Sequence, residues 1–167
     1  NDGDRGIFNI FEAVEEVASL LEEHYSESGI FIEIACKSDT ESCDALVVVG
    51  DQGMFKQVLM SVLSNSKDAI CDRLENGKIS KGFVKIDIEI EEEDISVEIK
   101  DNGGGIPEDI LGRIFEPYFT TKEDRKGTGI GLYMSKVSIE EHMKGFVTAN
   151  NTGDGALISM KLSKKRQ

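Results

Sequence analysis

Apolar residues recur at two different periods along this chain, and each change of period marks an element boundary. Ile10, Val14, Val17 and Leu21 follow at helical spacing after Asn9 and Glu12, a pair suited to capping, which predicts an amphipathic helix ending near Tyr25. The runs GIFIEIAC (residues 29 to 36) and ALVVVG (residues 45 to 50) read as strands. Asp51 is positioned to cap a second helix with Phe55, Val58, Leu59, Val62 and Ala69 on one face, running to about Leu74. The period then changes to two. Val84, Ile86, Ile88 and Ile90 alternate with polar residues, as do Ile95, Val97 and Ile99, and EEED (residues 91 to 94) separates them, which predicts a hairpin with one buried face. PEDILGRIF (residues 107 to 115) opens with proline and two acids, the start of a short helix. EDRKGTG (residues 123 to 129) reads as loop. A helix from about Ile130 to Met143, stopped by Gly145, precedes two strands joined by NTGDG (residues 151 to 155). This order predicts an α/β fold, a sheet covered by helices on one face.

Composition narrows the classes of function. The 167 residues suffice for one domain with a real core, and no run approaches the ~18 apolar residues of a membrane span. Nothing at the N-terminus has the pattern of a secretion signal. The formal net charge of -13 opposes nucleic acid and anionic membrane surfaces, and the one basic run, KKRQ at residues 164 to 167, reads as a solvated tail. Cys36, Cys43 and Cys71 lack CxxC spacing, which favours reduced cytosolic thiols over zinc or a redox dithiol.

Two glycine clusters carry the candidate chemistry. DNGGGIP (residues 101 to 107) leaves a stretch of bare backbone beside a carboxylate, more than a simple turn requires. GTGIGL (residues 127 to 132) stands at a loop-to-helix junction, where backbone amides and the helix's positive end suit a phosphate; alone it is neither a Walker A motif nor a dinucleotide fingerprint, and plain loop is the reading ahead. On the second helix Asn65 lies at the edge of the apolar stripe, with Ser61 and Asp68 on the same flank. An amide oxygen there suits Mg²⁺ held with phosphate oxygens and water. A solvated surface asparagine is the plainer reading.

Together, QVLMSVLSNSKDAI (residues 57 to 70), DNGGGIP, RIFEPYFTTK (residues 113 to 122) and GTGIGL resemble, in the right order, the N, G1, F and G2 boxes of the ATP-binding catalytic domain of bacterial sensor histidine kinases. The resemblance implies the Bergerat fold shared with gyrase, the MutL proteins and a heat-shock chaperone: a two-layer α/β sandwich with a mixed, mostly antiparallel sheet and helices on one face. It makes Asp101 the acceptor for the adenine amino group, and a carboxylate there rejects guanine, which presents an oxygen at that position. It places Gly103 and Gly105 beside the base, Asn65 on Mg²⁺ and Gly127, Gly129 and Gly131 on the phosphates. Asp68, Ile106, Thr120, Thr128, Ile130 and Leu132 join the ATP site on the same grounds. Phe115, Tyr118 and Phe119 fall in the lid-lining F box, where Phe115 and Phe119 also suit a plain core. Lys122 is placed to reach the terminal phosphate, or is simply solvated, and the loop from Thr121 to Lys126 is expected to move in the absence of nucleotide.

Departures from the family pattern refine this. Ser61 occupies a position where many members carry a second asparagine and the ATPase branch carries a glutamate, which implies weaker metal binding and negligible intrinsic ATP hydrolysis. Ser66 replaces a common alanine and is expected to be tolerated; Lys67 reads as a surface charge. His24 and His142 lack the family's phosphoacceptor pattern and read as helix-end residues, so the acceptor histidine is expected on a separate dimerisation domain, through which a response regulator would be served. Residues 1 to 6 read as a connector to that domain, 7 to 163 as the catalytic domain and 164 to 167 as the tail. The piece is expected to be monomeric and cytoplasmic, without direct membrane contact, whether or not the parent is membrane-anchored. A degenerate nucleotide-binding or protein-interaction module is the alternative, and a serine kinase of the anti-sigma type a more distant one.

Overall fold

The computed structural model describes residues 6–37, 45–119 and 131–164. Strand β1 (Ile7–Asn9) leads directly into helix α1 (Ile10–Glu27), whose first turn is capped by Asn9 Oδ1 accepting the Glu12 N–H at 2.9 Å. Strands β2 (Ile30–Cys36) and β3 (Val47–Val49) follow, then α2 (Gln52–Glu75), capped by Asp51 accepting the Met54 N–H at 2.8 Å. Both caps satisfy amides that the helix leaves unpaired, as their sequence signatures anticipate. The hairpin β4 (Gly82–Glu91) and β5 (Asp94–Asp101), the one-turn helix α3 (Glu108–Leu111), helix α4 (Gly131–Lys136), and strands β6 (Phe146–Asn151) and β7 (Ala156–Ser163) complete the chain.

Five strands form the main sheet in the order β2-β4-β5-β7-β6, parallel between β2 and β4 and antiparallel elsewhere. One face carries Val84, Ile86, Ile88, Ile95, Val97, Ile99, Met160 and Leu162, all almost wholly buried against Val14, Val17, Phe55, Leu59, Val62 and Leu63 from α1 and α2. Phe55 anchors this layer, its ring 5.4 Å from that of Phe8. The expected two-layer α/β sandwich with helices on one face is therefore the observed architecture.

The differences in detail have local causes. Residues 45 to 50 do not join the main sheet: β3 pairs with the unanticipated β1 in a separate two-stranded sheet, Ile7 opposite Val49. Three residues are too few for a period to show. The helix expected over residues 107 to 115 stops after one turn, at Gly112, and the chain continues in tight turns such as Glu116 N–H to Arg113 C=O. The α4 helix widens into a π-helical segment at Val137–His142. Its end is turned by Lys144, which adopts a left-handed φ of 56°, and not by Gly145. Gly145 is required for another reason: a Cβ there would lie 2.1 Å from the Lys161 carbonyl oxygen. On the open sheet face Asp87 is nearly buried, with Lys37 and Lys85 at 3.6 and 3.8 Å, although alternation predicts exposure. Long lysine stems cover it. Lys164, the expected first tail residue, still donates its N–H to the Glu93 carbonyl.

Candidate functional site

Asp101 ends β5 and turns its carboxylate into a ring of donors. Oδ1 accepts the Gly103 N–H at 2.9 Å and the Ala156 N–H at 3.2 Å, and Oδ2 accepts the Ser66 hydroxyl at 3.0 Å. An ionised carboxylate offers roughly four lone-pair positions, so among the described residues about one is left open, on Oδ2. The backbone closes tightly around this group. A Cβ on Gly155 would lie 1.7 Å from the Asp101 carbonyl oxygen and 2.8 Å from its Oδ1, and one on Gly103 would lie 2.7 Å from the Ala69 Cβ. Gly104 and Gly105 take φ of 94° and 84°, which only glycine adopts at ease. The glycine run is thus explained by positive φ at two positions and close approach to α2 at the third.

Three side chains that the sequence reading did not select hold this turn in place. Asn151, at the end of β6, accepts the Ile106 N–H at 2.7 Å and donates to the Ile106 carbonyl at 2.6 Å. Asn102 makes an equivalent pair of bonds with the Phe83 N–H and the Lys81 carbonyl, at 2.8 and 2.9 Å. Arg73 donates to the carbonyls of Asn102 and Asp154 at 3.3 and 3.2 Å, joining α2 to both the glycine turn and the β6–β7 turn. Asn102 sat inside the first glycine cluster and Asn151 at the start of the NTGDG turn, and Arg73 in neither.

Helix α2 links the first glycine cluster to Gly131. Ser61, Asn65, Ala69 and Arg73 are spaced by four and form one stripe. At its C-terminal end Ala69 and Arg73 touch the 101–106 turn; at the other end Ser61 Oγ lies 3.6 Å from where a Gly131 Cβ would stand. Asn65, half-buried, lies in the turn between, and Ser66 and Ser61 are ~7.5 Å apart along the axis. Gly131 opens α4, and its carbonyl accepts the Ser135 hydroxyl at 2.8 Å. Beneath Asp101, Tyr25 is buried and donates its hydroxyl to the Leu63 carbonyl. Burial, and then the nearby Asp101 and Asp68 carboxylates, push its phenol far above the ordinary tyrosine value.

The remaining expected residues divide by location. Ile106 is in the clamped turn, and Asp68 is half-buried on α2. Phe115 and Leu132 are half-buried against the core, with the Lys136 ammonium 5.7 Å from the Phe115 ring. Phe119 is half-buried beneath the Arg113 guanidinium, 4.7 Å from its ring centre, whereas Tyr118 is 75% exposed with a left-handed φ of 65°. Thr120, Lys122, Gly127, Thr128, Gly129 and Ile130, and the whole Thr121-to-Lys126 loop, lie outside the described residues. His24 and His142 are exposed at helix ends, and Lys67 is half-buried where a surface charge was expected. Cys36 and Cys71 are half-buried, and Cys43 lies outside the described residues. Among the described residues no helix is long and apolar enough to cross a membrane.

The model of the family described as histidine kinase-, DNA gyrase B-, and HSP90-like ATPase matches residues 50–166. The chain is 36% identical over 157 residues to the two-component sensor PprA of Pseudomonas aeruginosa, covering 93% of the chain and 16% of that protein. It is 34% identical over 157 residues to sporulation kinase A of Bacillus subtilis, covering 94% and 23%. It therefore spans less than a quarter of the length of these curated relatives. Among solved structures, the nucleotide-free catalytic domain of histidine kinase ThkA matches with a TM-score of 0.80 at 28% identity, covering 96% of both chains. The same kinase in complex with the response regulator TrrA matches with a TM-score of 0.73 at 26% identity, over 96% of this chain and 42% of that one.

Proposed function

Because the chain belongs to the family of histidine kinase-, DNA gyrase B-, and HSP90-like ATPases, we propose that it is the catalytic domain of a sensor histidine kinase, binding Mg·ATP and donating the γ-phosphate to a histidine on a separate domain. The observation that carries the reading is the Asp101 carboxylate, held by Gly103, Ala156 and Ser66 with one acceptor position open beside bare backbone. That arrangement suits an exocyclic amino group and opposes a keto oxygen. Asp101, Gly103, Gly105 and Ile106 would hold adenine; Gly127, Thr128, Gly129, Ile130, Gly131 and Leu132 would surround the phosphates; Phe115, Phe119, Thr120 and Lys122 would close over them.

Hard oxygen donors, the Asn65 amide and the Ser61 hydroxyl, fit a Mg²⁺ ion that keeps phosphate and water as its other ligands. Asn65 would hold it directly, and Asp68 would line the ATP site beside it. The metal would neutralise phosphate charge, while the protein's own contribution is positioning. No carboxylate stands at Ser61 to activate water, so transfer is favoured over hydrolysis, and slow intrinsic ATPase is expected.

Residues 7 to 163 would form this domain, with 1 to 6 as the connector and 164 to 167 as a basic tail. The phosphoacceptor domain of the same kinase would be its partner, and a response regulator would be served through it, as the ThkA–TrrA complex illustrates for that kinase. The names of the relatives favour this reading over a binding-only module. The test is calorimetric titration of ADP and a non-hydrolysable ATP analogue, with and without Mg²⁺, into the native chain and Asp101→Asn. Binding that the variant loses by about 30-fold or more, the equivalent of about 2 kcal/mol for a charged hydrogen bond, supports the site. A folded native chain that binds neither nucleotide overturns it.

A further inference from the structure

Ser66 lies one residue beyond Asn65 on α2 and is only 5% exposed, so its hydroxyl needs a partner inside the protein. That partner is Asp101 Oδ2, at 3.0 Å, 35 positions away in sequence. The other oxygen, Oδ1, is occupied by the two backbone amides of Gly103 and Ala156. These bonds have different consequences. The amides belong to the main chain and fix where the carboxylate sits, whereas the hydroxyl is, among the described residues, the one donor on the oxygen that still has an open lone pair.

Resting on the nucleotide reading above, we propose that Ser66 is a positioning residue that sets base selectivity: by holding Oδ2 it locks the carboxylate plane and leaves a single acceptor aimed at an exocyclic amino group. Because Asp101 is acceptor-only when ionised, the Ser66 hydrogen is committed to it and the serine offers no donor to a keto base. Removal of the hydroxyl frees the carboxylate to turn about its last bond, since only Oδ1 remains held. The amino-specific contact weakens, while a base with a keto oxygen at that place never gained from it. Discrimination therefore falls without a general loss of binding.

The experiment measures dissociation constants of ADP and inosine diphosphate, which differ in this amino-to-keto exchange, for the native chain, Ser66→Ala and Ser66→Thr, with thermal melts on each. For Ser66→Ala, ADP binding is expected to weaken about tenfold, as for loss of a hydrogen bond to a charged group, and inosine diphosphate binding to change less than twofold. Ser66→Thr, which keeps the hydroxyl, retains the native ratio. An unchanged ADP-to-inosine ratio in a folded Ser66→Ala, or equal weakening of both ligands, overturns the proposal, because a packing role affects both alike. If the native chain binds ADP while the ratio is insensitive to Ser66, this inference falls and the nucleotide reading stands; if the native chain binds neither, both fall.

Discussion

Asn151→Ala removes a side chain that makes two bonds to one residue, Ile106, at 2.7 and 2.6 Å, and a third, longer one to Glu108 at 3.3 Å. A neutral hydrogen bond contributes about 1 kcal/mol net, so the pair amounts to about 2 kcal/mol if the 101–106 turn stays in place without it. If the turn instead swings out to water, its amide and carbonyl are solvated and the global loss shrinks towards about 1 kcal/mol, with an opening confined to the turn. Either way the backbone next to Asp101 loses its clamp, and ADP affinity is expected to fall about tenfold through lost preorganisation. Urea unfolding followed by circular dichroism measures the first quantity, since the chain has no tryptophan, and calorimetry the second. Asn151→Asp provides the sign test: it keeps an acceptor for the Ile106 N–H but puts a carboxylate against the Ile106 carbonyl and Glu108, so it should be less stable than Asn151→Ala. An Asn151→Ala variant within about 0.5 kcal/mol of native and within about twofold in ADP affinity would refute the clamp.

Further outcomes follow from the same geometry. Gly155→Ala places a Cβ 1.7 Å from backbone, so soluble yield or melting temperature should collapse, whereas Gly153→Ala, with nothing within 4 Å, should behave as native; a stable, ADP-binding Gly155→Ala refutes the packing. Tyr25 keeps its proton in the folded state when unfolded tyrosine has lost it. Its stabilising contribution is therefore complete below pH 10 and declines by up to about 1.4 kcal/mol per pH unit above it. The stability gap between native and Tyr25→Phe, from urea midpoints at pH 7 to 11, should narrow above pH 10; a constant gap contradicts this. Asn65→Ala should bind metal-free ADP within about threefold of native and lose the gain that Mg²⁺ confers, and retention of that gain would remove Asn65 as ligand.

Much of the scaffold was legible because its signals are local. The period-two runs around Ile86 and Val97 and the caps at Asn9 and Asp51 involve neighbours within a few residues, and the structure repeats them. The four boxes likewise singled out Asp101 and Asn65 as candidates, because each box is a short local run of residue types in a set order.

What the chain alone could not reveal is which distant atoms complete each local unit. The donors to Asp101 come from 2, 35 and 55 residues away, the Asn151 clamp spans 45, and the Arg73 tie to Asp154 spans 81. Such contacts leave no periodic trace, since a single polar residue looks the same whether it meets water or a buried carbonyl. Gly145 and Gly155 show the same division: as sequence they are turn residues, and as structure they are places where two strands pass too closely for a Cβ. Short-range stereochemistry and hydrophobic period determined the elements; the packing of α2 and the β6–β7 turn onto the end of β5 decided which side chains hold the carboxylate, because only the assembled sheet brings those positions within hydrogen-bond reach.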